Sequence, residues 1–271
     1  MVLVVTCVYK DNYDNVLNFC RNNNLQLVVY NKNDDLKLNE EIIKVQTPLF
    51  TLIDIPNYGR CDYGFLYHIV KNYSNLPDKI LFTKANYMDQ NINLNYALNN
   101  DYAFVNIGRS IKYGIFDKNY VVNNLLAQGV HKNDIETFFY AKDDVESCEL
   151  FGNTFNSYIV RDFYKMVYGN YANIPDKPIL NMGHGPCFCV TRELIQGHDI
   201  NIYEKIMDTF YPNKNHWSKW TNHTEEETQF HVGKRYHDNL QRFWSTLFIQ
   251  NYEQYNVTTD YNNFIGYNLK V

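Results

Sequence analysis

The chain of 271 residues carries 25 Lys/Arg against 30 Asp/Glu, a net charge of −5, and is 45 % apolar and 16 % aromatic. That composition supports a packed core and excludes a disordered chain. No Lys/Arg block exceeds two consecutive residues, so the electrostatic footprint of a nucleic-acid binder is missing.

The opening run Met1-Val-Leu-Val-Val-Thr-Cys-Val lacks a basic leader and is too short to span a bilayer. It reads as a first strand over Val2–Tyr9, apolar enough to be covered on both faces. Asp11, Asn12 and Asp14 then cap a helix carrying Val16, Leu17, Phe19 and Cys20, and Leu25–Tyr30 is a second strand. Strand, helix and strand in about thirty residues predict a parallel βαβ unit. A short strand at Leu49–Ile55 follows, then a Gly-Arg turn at Gly59-Arg60, an amphipathic helix, a Pro77-Asp78 turn and a buried strand at Ile80–Thr83.

Tyr102–Ile107 predicts another strand, and residues 108–155 predict peripheral helices. Phe155–Tyr168 has helical spacing. Leu180–Val190 is a Gly-rich turn entering a strand, with a helix from Thr191 and another over Ile200–Tyr211. A Trp/His-rich loop spans Pro212–His223, a long helix runs from Thr224 through Phe248, and an Asn/Tyr-rich tail begins after Asn251. No linker divides the chain, so a single α/β domain with a mostly parallel central sheet flanked by helices is expected. Its six cysteines form no C-x-x-C pair, and reduced buried thiols in a cytoplasmic protein, host cytoplasm for a viral source, are expected.

The first strand-to-helix turn has neither G-x-G-x-x-G nor a Walker-type loop, which removes the usual dinucleotide and P-loop phosphate cradles. Ligands of open α/β sheets collect beyond the carboxyl ends of the strands. Thr6, Tyr9, Asp11 and Asn31 lie there and can hold a base and ribose, although Asp11 equally suits helix capping and Asn31 a turn. Lys84, Asn86 and Asp89 follow the Ile80–Thr83 strand. Arg60, on a glycine turn at a helix start, can fork onto a phosphate, with pairing to Asp62 or a backbone carbonyl as the structural alternative. The His216, His223, His231 and His237 group fits no zinc spacing.

The two opening strands look like the nucleotide-binding half of a GT-A-type glycosyltransferase. More specifically, Asn57-x-Gly59-Arg60, Leu66-x-His68-Ile69, Asn72-Tyr73, Leu76-Pro77-Asp78, the Gly185–Arg192 strand-to-helix step and Gln241–Phe248 resemble an uncharacterised glycosyltransferase-like family of fungi and large viruses. The resemblance implies a nucleotide-binding half at residues 1–107, an acceptor half at 108–250 and a tail at 251–271. It implies a nucleotide-sugar donor, a UDP sugar by preference, and a glycan or hydroxyl acceptor. Donor contacts would come from Thr6, Tyr9, Asp11, Asn31, Asn57, Gly59, Arg60, Lys84 and Asn86. Acceptor contacts would come from Gly185, Trp217 and Trp220.

Inversion needs a group that takes the acceptor proton, for which Asp238, Glu193 and His184 are candidates. Cys61 and Gln241 stand where the family usually has Glu, and Asp-x-Asp is absent from the strand ending at Thr83. Asp89 is therefore the local candidate ligand for Mn²⁺ or Mg²⁺, and direct neutralisation of a diphosphate by Lys84 is the metal-free alternative.

Overall fold

In a computed structural model describing residues 2–99, 101–108, 112–115, 119, 123, 126, 127, 129, 166–170, 173, 179–182, 187–210, 240, 243–260 and 263–270, the apolar run Val2–Val8 forms β1 with all seven residues buried. Its side chains alternate between two cores. Leu3, Val5 and Cys7 face one, and Val2, Val4 and Val8 face the other, as the two-residue period of a strand requires. Helix α1 (Asp14–Asn22) leads to β2 (Gln26–Asn33), which pairs parallel with β1 from Leu3↔Gln26 to Val8↔Asn31. The expected βαβ unit is present.

β3 (Ile42–Gln46) and β4 (Phe50–Pro56) form a hairpin, and β4 pairs parallel with β2. Helix α2 (Cys61–Asn72) then crosses to β5 (Lys79–Lys84), parallel to β1 on its other side. Four neighbouring strands, β4-β2-β1-β5, therefore end at the same edge. Gly64 permits the close crossing, because a Cβ there would lie 2.6 Å from Cys7 Sγ. That is below any real carbon–sulfur contact.

Beyond β5 the direction changes. β6 (Phe104–Ile107) and β9 (Phe188–Thr191) continue the sheet, with β9 antiparallel to both β5 and β6. The segment expected to be a tail instead supplies β10 (Tyr255–Asp260) and β11 (Phe264–Leu269), a hairpin whose second strand pairs with β6. β7 (Lys112–Ile115) and β8 (Ile179–Met182) form a separate pair.

The nine-stranded order is β10-β11-β6-β9-β5-β1-β2-β4-β3, with three parallel and five antiparallel pairings. A mostly parallel sheet is thus corrected to a mixed one. Apolar runs such as Phe104–Ile107 mark a buried strand but carry no sign of its direction.

Helices α3 (Arg192–Gln196), α4 (Ile200–Asp208) and α5 (243–248) lie on the α2 face. Tyr203, Ile206, Trp244, Leu247 and Phe248 join one core with Phe65, Phe82 and Phe188. Among the described residues no helix is long and apolar enough to cross a membrane.

Candidate functional site

The site is built where β1, β2, β4 and β5 end together. Tyr9 follows β1, and its hydroxyl donates to Asp34 Oδ2 at 2.9 Å. Asn57, just after β4, donates through Nδ2 to Asp34 Oδ1 at 2.7 Å. Lys10 Nζ lies 3.9 Å from the same carboxylate and 4.7 Å above the Tyr9 ring. The Asp34 side chain is 56 % exposed. Three strand ends therefore converge on one solvent-facing carboxylate, whose pKa the Asn57 and Tyr9 hydrogen bonds hold below the ordinary range.

A second carboxylate ties the same strands below the surface. Buried Asp54 on β4 accepts from Asn31 Nδ2 at 2.8 Å and Asn33 Nδ2 at 3.2 Å, and Lys44 Nζ lies 3.4 Å away. Burial pushes its pKa up, but the two amides and the ammonium more than offset this, and it stays below the usual carboxylate value. Asn31 is thereby committed to locking β2 against β4.

The Gly59-Arg60 turn stands beside these ends. Gly59 has φ +48°, and a Cβ there would meet Phe210 Cδ1 at 2.6 Å, so both its backbone angle and its surroundings demand glycine. Buried Lys32 on β2 donates through Nζ to the Gly59 carbonyl oxygen. Burial lowers the pKa of that ammonium, and the nearby Arg60 charge adds to the lowering. Arg60 occupies the N-cap position of α2 without a side-chain cap bond, and it is exposed. The positive end of the α2 dipole lies next to it.

At the first turn of α2, fully buried Asp62 accepts from Trp244 Nε1 at 2.7 Å. Trp244 stacks on Phe248 and packs 5.0 Å from Phe188. The start of α2 is thus fixed from beneath by an indole on α5. Further along α2, Tyr30 Oη lies 3.0 Å from Nδ1 of buried His68, and burial lowers the His68 pKa to about 3.

The sequence-derived candidates divide clearly. Tyr9, Asn57, Gly59, Arg60 and the partly buried Lys84 are set at the shared strand edge. Exposed Asn86 follows directly on β5. Thr6 is completely buried, and its hydroxyl donates to the Thr83 carbonyl at 2.9 Å. Asp11 is exposed and does not cap α1, where Asn12 Oδ1 instead accepts from the Asp14 amide at 2.7 Å. The side chain of Asp89 lies outside the described residues, as do His184, Gly185, Trp217, Trp220, Asp238 and Gln241.

Glu193 lies elsewhere. Because β9 runs antiparallel to β5, its end at Thr191 pairs with Lys79, at the opposite end of β5 from Lys84. Arg192 then binds Asp78 at 3.0 Å, and exposed Glu193 sits 3.7 Å from Arg192. Glu193 is therefore a full strand length from the edge that carries Arg60. The same antiparallel course brings Cys187, at the other end of β9, within 3.5 Å of Thr83 Oγ1.

The residues flanking Thr83 also bear on the implied divalent cation. Lys84 and Asn86 follow Thr83, and an ammonium with one amide does not fit the oxygen-rich shell of Mn²⁺ or Mg²⁺. Lys32, Asp34, Asp54 and Asp62 are the site residues that sequence reasoning missed. Only Lys32 carried a visible signal, as a lone lysine continuing an apolar strand.

Burial raises the thiol pKa of Cys7 to about 11 and those of Cys20 and Cys189 to about 12. These are inert core cysteines, and all five described cysteines are unpaired. Comparison of the chain with protein-family models, curated proteins and solved structures returns no match.

Proposed function

We propose that this protein binds a nucleotide sugar across the ends of β1, β2, β4 and β5 and transfers the sugar to a glycan or hydroxyl acceptor, with a UDP sugar as the donor. The observation that carries the reading is Asp34. A carboxylate held by Tyr9 and Asn57 and left open to solvent suits the hydroxyls of a ribose or the polar edge of a base. Tyr9, 37 % exposed, supplies an aromatic face beside it.

Arg60, Lys84 and the positive end of α2 supply positive charge for a diphosphate. In this reading they do so without a metal, because the step after β5 offers Lys84 where a metal-dependent enzyme needs carboxylates. The four parallel strands that open the chain and end together support a GT-A-like arrangement of a single domain. On this reading the acceptor side belongs to Gly185, Trp217 and Trp220, with His184 and Asp238 as candidate bases.

A second reading keeps the sugar-binding role and drops turnover, giving a glycan-binding or assembly module. Cys61 in place of Glu favours it, as does the position of Glu193 away from the strand edge. Calorimetric titration with UDP, other nucleotides and UDP sugars, each with and without Mn²⁺, tests the leading reading. Binding of a uridine nucleotide that Asp34→Ala weakens is the expected result. Absence of binding to every nucleotide, together with sugar binding on a glycan array, would replace it by the second.

A further inference from the structure

The two edges of the nine-stranded sheet differ in chemistry. At one, β10 exposes Asn256, Thr258 and Thr259. At the other, all five residues of β3 are exposed. Leu38, Ile42, Ile43, Val45 and Leu49 are between 37 % and 55 % exposed, and they make up five of the nine large hydrophobic side chains exposed among the described residues. They fall within twelve residues of sequence.

An apolar edge strand is a template for another strand, and folded proteins blunt such edges with charge, bulges or a cover. β3 has one bulge, between Ile43 and Val45, and one lysine. Lys44 does not guard the edge, because its ammonium lies back against Asp54 of its own sheet at 3.4 Å.

We propose that β3 is a docking edge for a second copy of this chain, with two β3 strands pairing antiparallel about a two-fold axis near Ile43. Charge selects the occupant and its direction. Glu40 and Glu41 precede the strand and Lys44 lies within it. Antiparallel pairing about Ile43 brings the acidic end of each strand alongside the lysine region of the other, whereas parallel pairing sets Glu on Glu and Lys on Lys. The acidic side chains are already steadied, Glu40 by the Lys37 amide at 2.8 Å and Glu41 by the Tyr67 hydroxyl.

The pairing is isologous and therefore closes at two copies. It covers both apolar edges and leaves the two polar β10 edges at the ends of one continuous sheet. Five paired residues per copy make a small interface, so association in the micromolar range is expected. This proposal does not depend on the nucleotide-sugar reading.

Sedimentation equilibrium of the full chain from about 1 to 200 µM tests it, since this range brackets micromolar association. The wild type is expected to pass from monomer to dimer within that range. Ile43→Lys is expected to remain monomeric, with circular dichroism and Tm matching the wild type, because Ile43 is more than half exposed. Val45→Lys provides the same test should Ile43→Lys fail to fold. Thr258→Lys, on the opposite edge, is expected to dimerise normally. A wild type that stays monomeric throughout, or a dimer that survives both β3 substitutions, would overturn the proposal. So would a dimer lost only in Thr258→Lys.

Discussion

Trp244 Nε1 donates to Asp62 Oδ1 at 2.7 Å across 182 residues of sequence, with both groups buried. The bond joins the helix that starts at the Gly-Arg turn to the last helix of the α2 face. Geometry at the start of α2, and with it the position of Arg60, therefore depends on a residue near the other end of the chain. Trp244→Phe keeps the aromatic packing but removes the donor from a buried carboxylate. A loss of about 2–4 kcal/mol is expected, read by urea denaturation. An unchanged midpoint would show that the bond contributes nothing.

Arg60→Ala is expected to weaken uridine nucleotide binding by about 10- to 100-fold. Because Arg60 is exposed, its Tm should move by less than about 2 °C. Titration and thermal melting on the same preparation separate the two roles. A large drop in Tm with unaltered binding would make the guanidinium structural.

Gly64→Ala drives a methyl to 2.6 Å from Cys7 Sγ and 2.9 Å from Cys7 Cβ, and overpacking of this kind costs about 1–3 kcal/mol. Cys7→Ala removes the nearer obstacle. The double substitution should thus be less destabilised than the sum of the two singles, and a double-mutant cycle measures the difference. Strict additivity would mean that α2 and β1 separate freely.

His68 gives a pH dependence whose sign follows from its surroundings. Its pKa falls from an ordinary 6.5 to about 3 on burial. Above pH 6.5 the ring is neutral in both folded and unfolded chains. Below it the unfolded chain takes up a proton that the folded one refuses, so stability is lost as the pH falls from 6.5 toward 3. Buried His198 shifts in the same direction. Between pH 6.5 and 5 the His68 contribution amounts to up to about 2 kcal/mol. His68→Gln should flatten the slope of unfolding free energy against pH, with the remainder due to His198. An identical slope in the variant would assign the effect to other groups.

Much of the fold was legible because its signals are local. Val2–Val8, Leu27–Tyr30 and Ile80–Thr83 are apolar runs of strand length bounded by polar turns, and they became β1, β2 and β5 nearly as read. β10 and β11 were missed because their Asn- and Tyr-rich segments alternate only weakly, and pairing with β6 is what makes them strands. β3 was missed because no face of it is buried to impose a period. The Gly59-Arg60 turn was visible as a glycine before a helix. The carboxylate at its side was not, since Asp34 sits in a polar stretch, Asn31-Lys-Asn-Asp-Asp35, where nothing distinguishes it from its neighbours.

Sequence alone determined which segments are buried strands and where the helix with Arg60 begins, because hydrophobic period and turn chemistry act over a few residues. Tertiary structure decided strand direction, and with it the whole arrangement of the site. The reversal of β9 carries Glu193 to the far end of β5, and the parallel pairing of β1, β2 and β4 gathers Tyr9, Asp34 and Asn57 at one edge. Both outcomes rest on backbone pairing and packing between segments far apart in the chain, which no local pattern of residues encodes.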